Sequence, residues 1–430
     1  MSLILKRFRF SNGERAALLI DNQTGIPVHY QNLYVTIHHR NSSDSINTAI
    51  SCLNNLKYLS EILEYENIDL EHRFLTNQLL TKQEIESISR WAKKKSNSLS
   101  EAKSQIQTTK VSSLHLHRIE FSRCTVVIDT DPVESNTVYK RITDFTKYIC
   151  WLANEICPTK TKISLMERQL LSHRPTKNIT PSDVRNFKSL TKNQMTRMLD
   201  IVRPDSTENP WTHEGVRHRN QLIIHLLYHL GCRKGELLLI KLTQLDSADR
   251  LIAIRRNADD ASDPRMNEPL VKTLSRDIEI TETILKMIDD YVIFFRSKIK
   301  NAGKTPYLFL SHQNKSSAAS PMSISAIDKI FTQLTNLLGF NVHPHKLRHT
   351  WNDDFRDEMD TIIASGAMSE TEVEDLQSYL MGWKEGSGSA ARYTRRYHHK
   401  KAIKLGLHLQ EKRQDENERI VGNYDELIDF

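Results

Sequence analysis

The chain has 430 residues, 38% of them hydrophobic and 26% charged, enough for two or three domains with real cores. Its 60 Lys and Arg against 53 Asp and Glu leave a net charge of +7, a mild basic excess compatible with a polyanionic partner. No window approaches about 18 apolar residues. The 5 cysteines show no C-x-x-C, and MSLILKRFRF has no long apolar core. A membrane span, a disulfide framework and a signal peptide are therefore not expected. The thiols read as reduced and mostly buried, in a cytoplasmic protein.

Residues 3–40 are expected to be β structure. Leu3, Leu5, Phe8 and Phe10 lie amid Lys6, Arg7 and Arg9, Asn12-Gly13 and 22–25 are turn signals, and 34–37 reads as a further strand. From Ser45 the period turns helical, with Ile46, Ala49, Ile50, Leu53, Leu56 and Leu63 on one face. Thr81 and Glu84 form a capping box for a second helix to about Lys95. Residues 96–109 are polar and Ser-rich, a linker by composition, and 114–129 reads as a short strand or extended segment. Asn136 is expected to cap a helix carrying Val138, Ile142, Phe145, Ile149 and Leu152, with another helix over 164–171. Residues 175–187, with Pro175 and Pro181, are the candidate interdomain link.

Beyond the link, a helix carries Met195, Met198, Leu199 and Val202, and an apolar helix over 220–230 ends at Gly231. The chain is helical again from Glu236, then 251–254 and 268–280 read as strands of a small sheet, and 291–299 and 324–338 as helices. A further helix ends at Met381-Gly382, where glycine supplies a left-handed cap, and a Gly/Ser run follows. The expected fold class is mainly α with a small β-sheet, α+β.

Four separated spots could carry chemistry. In Gly231-Cys-Arg233-Lys-Gly-Glu236-Leu, an arginine follows the glycine that ends an apolar helix and has a carboxylate three residues on. A guanidinium fork so oriented suits a phosphate, although a surface Arg–Glu pair is the commoner meaning. In His343-Pro-His345-Lys-Leu-Arg348-His349, Pro344 fits a first helical turn, so His345 and Arg348 share a face. A hydrated His-rich helix start is the plain alternative, and zinc a third, without a second ligand cluster at the right spacing. Lys272 sits between two expected strands, where a lysine is usually only solvated. Finally Trp383 and Tyr393 bracket the Gly/Ser run amid Lys384, Arg392, Arg395 and Arg396, which is either a slack connection into a cationic helix or the delivery of a tyrosine to an anion.

Taken in order, these motifs resemble the tyrosine recombinase, or phage integrase, family over roughly 186–412. The resemblance makes Arg233 (in G-x-R-x-x-E-L) and Arg348 the two catalytic arginines, His345 the histidine of H-x-x-R and Lys272 the hairpin lysine. Trp383 takes a position filled by His or Trp, and Tyr393, in Arg-Tyr-Thr, is the nucleophile. The Trp383-to-Tyr393 interval is one residue longer than the family pattern, which keeps Tyr397 as a competing nucleophile.

The resemblance implies a two-domain DNA clamp: an N-terminal β-arm (1–40), a helical, SAM-like core-binding domain (41–180), a catalytic domain (186–412) and an acidic tail (413–430). It further implies a site-specific recombinase of a mobile element that forms a 3′-phosphotyrosine and a free 5′-hydroxyl, without metal, ATP or another cofactor. His345 would take the phenolic proton and Lys272 would protonate the leaving oxygen. The implied partners are double-stranded DNA and three further copies in a homotetramer on paired sites, with accessory recombinases or bending proteins as options and a nucleoid-associated location. A type IB topoisomerase or telomere-resolving enzyme, and a DNA-binding accessory protein with a retired site, are the alternatives.

Overall fold

The computed structural model describes residues 2–42, 45–102, 132–176, 189–256, 259–312, 319–384, 393, 402 and 405–413. Among the described residues the chain is mostly helical with two small sheets, and it divides into two compact units, Met1–Ile179 and Thr180–Phe430. Among the described residues no helix is long and apolar enough to cross a membrane.

The first unit opens with an antiparallel hairpin, β1 (Leu3–Arg9) and β2 (Arg15–Asp21), paired from Leu3↔Asp21 to Arg9↔Arg15. Leu19 is fully buried. The Asn32 carboxamide holds both backbone groups of Leu19: it accepts from the amide at 2.8 Å and donates to the carbonyl at 2.8 Å. Asn32 belongs to α1 (His29–Val35), which runs on into a π-helical turn, Thr36–Arg40. The expected strand over 34–37 is thus corrected to helix. Its β-branched and aromatic residues carry strand propensity, but burial of Tyr34 against Tyr148 and Trp151 decides the conformation.

Helices α2 (Ile46–Tyr65), α3 (Leu70–Leu75), α4 (Lys82–Ala92), α5 (Ser135–Ile156) and α6 (Ile163–Ser172) enclose one apolar core around Leu53, Leu56, Leu59, Ile62, Phe74 and Phe145. The Thr81–Glu84 capping box forms as expected. The N-cap position of helix α5 is Glu134 rather than Asn136, with no side-chain capping hydrogen bond. Residues 96–102 are helical, with Leu99 buried, so that part of the expected linker is corrected: one leucine anchors a Ser-rich turn that composition alone reads as loop. The segment 114–129, most of 175–187, Tyr397 and the tail beyond 413 lie outside the described residues.

The second unit starts with α7 (Lys192–Ile201), opened by a Thr191–Gln194 capping box, and α8 (Glu214–His229). Helix α8 begins earlier than the apolar run over 220–230, because its first turns are largely polar, with Gly215, Arg219 and Asn220 buried and Val216 packed against the core. After α9 (Lys234–Leu239) comes an antiparallel sheet in the order β3 (Leu245–Asp246), β4 (Leu251–Ile254), β5 (Arg276–Glu279). The strand expected over 268–280 is therefore corrected to its last few residues. The stretch before it carries Asp263, Arg265 and Glu268, buried and bonded side chain to backbone rather than laddered. Helix α10 (Glu282–Asp290), capped by Thr281, was not expected; it continues into a π turn, Tyr291–Arg296. Then come α11 (Ile324–Leu338), α12 (Pro344–Ala364) and α13 (Glu370–Met381), and 405–413 are helical too. The core runs through Leu222, Leu226, Leu237, Ile252, Phe309, Phe331 and Leu347.

Candidate active site

The site grows from two helix ends and one helix start in the second unit. Helix α8 stops at Gly231, whose φ of +57° lies in the left-handed region. A Cβ there would lie 2.8 Å from Met381 Cε and 2.9 Å from Trp351 Cγ, so glycine lets the ends of α8 and α13 approach each other over α12. Helix α13 stops at Gly382, φ +61°. The Trp383 amide donates to Ser378 O at 2.9 Å and the Gly382 amide to Tyr379 O at 2.9 Å, the paired bonds of a Schellman cap.

Arg348, on the first turns of α12, is 1% exposed and bridges both ends: Nη1 donates to Gly231 O at 2.7 Å and Nη2 to Met381 O at 3.0 Å. Carbonyls at helix C-termini lack intrahelical partners and carry the negative end of the helix dipole, so they suit a buried cation. Burial, reinforced by nearby Arg233, pulls the Arg348 guanidinium down to about 10, which leaves it charged at neutral pH.

Arg233 precedes α9 and is half-buried. Its amide donates to Glu236 Oε2 at 3.1 Å and its Nη1 to Oε1 at 3.3 Å. Glu236, 1% exposed, also accepts from Thr273 Oγ1 at 2.8 Å and from Arg276 Nη2 at 2.8 Å. Burial opposes its ionisation, but Arg276 and Arg348 outweigh that and hold the carboxyl below the usual range. Three guanidiniums thus surround one carboxylate, a net positive site that favours an anion. Cys232, beside Arg233, is no nucleophile: burial pushes its thiol up to about 12.

Lys272 is exposed on the β4–β5 connection, next to Thr273. That connection is held at Thr273 by Glu236 and at Leu274, whose amide donates to Gly382 O at 2.8 Å. Lys272 therefore stands immediately before two anchored residues, on a long connection rather than a tight hairpin.

Trp383 is 6% exposed, with the Arg348 guanidinium carbon 5.7 Å from its ring centroid. Tyr393 stacks on Trp383, centroids 5.2 Å apart and planes within 17°. The tyrosine hydroxyl lies 3.0 Å from His349 Nδ1. His345 is exposed and its ring approaches that of His349 edge-on at 4.4 Å.

The structure thus gathers Arg233 and Arg348 at Glu236, sets Trp383 over Arg348 with Tyr393 stacked on it, leaves Lys272 exposed on the connection beside Thr273 and packs His345 against His349. Glu236, Thr273, Arg276 and His349 carry more of the site than their sequence motifs suggested. The H-x-x-R-H spacing is the one signal that could have exposed His349, since positions 345 and 349 are one helical turn apart.

The fold and site define a mainly helical domain that sets a tyrosine beside a cluster of guanidiniums. Residues 188–400 match the model of the phage integrase family, and through that domain the chain belongs to the tyrosine recombinases. Among solved structures, the XerA recombinase is 14% identical, covering 89% of this chain and 98% of its own, with a TM-score of 0.34. The Tn1549 transposon integrase in complex with circular intermediate DNA is 16% identical, with 85% and 94% covered and a TM-score of 0.47. The XerH site-specific recombinase bound to its difH substrate is 14% identical, with 86% and 90% covered and a TM-score of 0.37. No curated protein matches the sequence.

Proposed function

We propose that this protein is a site-specific DNA recombinase, of the kind mobile elements encode, which cuts and rejoins DNA through a covalent bond between Tyr393 and a 3′-phosphate. The observation that carries the reading is the Tyr393 side chain, stacked on Trp383 and hydrogen-bonded to a histidine beside the buried Arg348. The phage integrase match over 188–400 supports it.

In the proposed reaction the Arg233 and Arg348 guanidiniums neutralise the non-bridging phosphate oxygens, whose charge grows in the transition state. Trp383 offers an indole N–H and a flat platform for the nucleophile. A phenol is a weak nucleophile near its usual pKa of about 10, and surrounding cations lower the cost of its anion. The tyrosine oxygen displaces the 5′-oxygen, and exposed Lys272 supplies the leaving group's proton. The ester keeps the bond energy, so rejoining needs no outside energy source. The first unit would grip the duplex as a helical core-binding domain, and four copies on two DNA sites would exchange strands.

Tyr393→Phe should abolish the covalent protein–DNA adduct on a nicked suicide substrate while gel-shift binding survives. An adduct that persists in Tyr393→Phe and disappears in Tyr397→Phe would move the nucleophile. Relaxation of supercoiled DNA by a monomer, without site preference, would select the type IB topoisomerase reading instead.

A further inference from the structure

The proposed reaction needs a group that accepts the phenolic proton as the tyrosine oxygen closes on phosphorus, and His345 is the histidine that the resemblance offers. The structure puts a different imidazole there. His349 Nδ1 lies 3.0 Å from the Tyr393 hydroxyl, within hydrogen-bond reach, with ring centroids 5.5 Å apart. Trp383, stacked on the same tyrosine at 5.2 Å, fixes the plane of the phenol. His349 follows Arg348 directly on α12 and is half-buried, so its backbone is held by the residue that ties α8 to α13. His345, a turn earlier, is exposed and packs its ring edge-on against His349 at 4.4 Å.

We infer that His349 is the general base for Tyr393, and that His345 is left to face the phosphate. This rests on the recombinase reading. In the step, the Tyr393 Oη–P bond forms as the P–O5′ bond breaks. The phenolic proton passes to His349 Nδ1, and the electron pair of the broken bond leaves with O5′, which takes its proton from Lys272. His349 accepts at Nδ1, so its own proton starts on Nε2. During rejoining the same nitrogen returns the proton to the tyrosine oxygen.

The test is single-turnover adduct formation by the full chain on a nicked duplex carrying its cognate site, with binding followed in parallel by gel shift. His349→Ala should lower the cleavage rate by about 10²- to 10⁴-fold, the range for a lost general base, with DNA affinity little changed. Added imidazole should restore part of the rate, and more basic substituted imidazoles should restore more. A His349→Ala rate within about twofold of wild type overturns the inference. So does full activity in His349→Gln, which marks the contact as one that only orients the ring. Graded imidazole rescue of His345→Ala but not of His349→Ala would hand the role to His345. If the wild-type chain forms no adduct through Tyr393, the recombinase reading falls and the base falls with it, a result distinct from loss in the variant alone.

Discussion

Glu236 shows how much a single residue can hold. It is fully buried, accepts from Arg233, Thr273 and Arg276, and stays ionised because the guanidiniums overcome the cost of burial. Glu236→Gln keeps the shape but strands Arg276, 3% exposed, without a counter-charge. Breaking one partner of a buried pair costs about 3–5 kcal/mol, so urea unfolding of the variant should show a loss of that order, alongside lost DNA cleavage. A second residue gives the pH behaviour. His312 is pulled down to about 3 by burial, helped by Arg219 and His213, and bonds the Tyr291 hydroxyl. Between its ordinary value near 6.5 and that lowered one, the unfolded chain binds a proton that the folded chain refuses. Stability should therefore fall as pH drops below about 6.5. Urea midpoints at pH 7 and pH 5 should differ less in His312→Gln than in wild type.

At the scale of elements, helix ends matter more than helix middles. Gly382 and Gly366 both have positive φ, yet a Cβ on Gly366 meets nothing within 4 Å, whereas on Gly382 it would lie 2.7 Å from Arg276 Nη1 and 2.9 Å from Leu274 O. Gly366→Ala should cost about the 1–2 kcal/mol of a left-handed residue with a side chain. Gly382→Ala should cost clearly more in thermal melts, and should also slow cleavage, because it pushes at the β4–β5 connection. These ends also mark what the sequence made legible. The helices with caps and clean periods, such as those opened by Thr81 and Thr191, could be read in advance, as could the glycine stop at 382. The strand reading of 34–37 failed because burial against a distant helix overrode local propensity. The motif residues were legible as types in an order. Their partners were not, since Thr273 and Arg276 reach Glu236 from 37 and 40 residues away, and only folding shows which imidazole meets the tyrosine.

For the whole molecule, a net charge of +7 says little, because the proposed DNA affinity depends on where cations stand. Arg233 is half-buried at the site, while Arg197 and Arg203 are exposed and already paired with Glu208 and Asp205. Binding constants measured against salt should therefore give a slope that falls by about one in Arg233→Ala, the loss of one phosphate contact, and stays unchanged in Arg197→Ala. A salt slope equally altered by both would point to diffuse surface attraction instead.

The bond from the Leu274 amide to Gly382 O gives the site a mechanical property. It fastens the strand-to-strand connection that carries Lys272 to the residue one position before Trp383, on which Tyr393 stacks. In the proposed reaction the lysine and the tyrosine would then share one fastening, so a displacement at the end of α13 would be felt on the Lys272 connection as well as at the Trp383 platform.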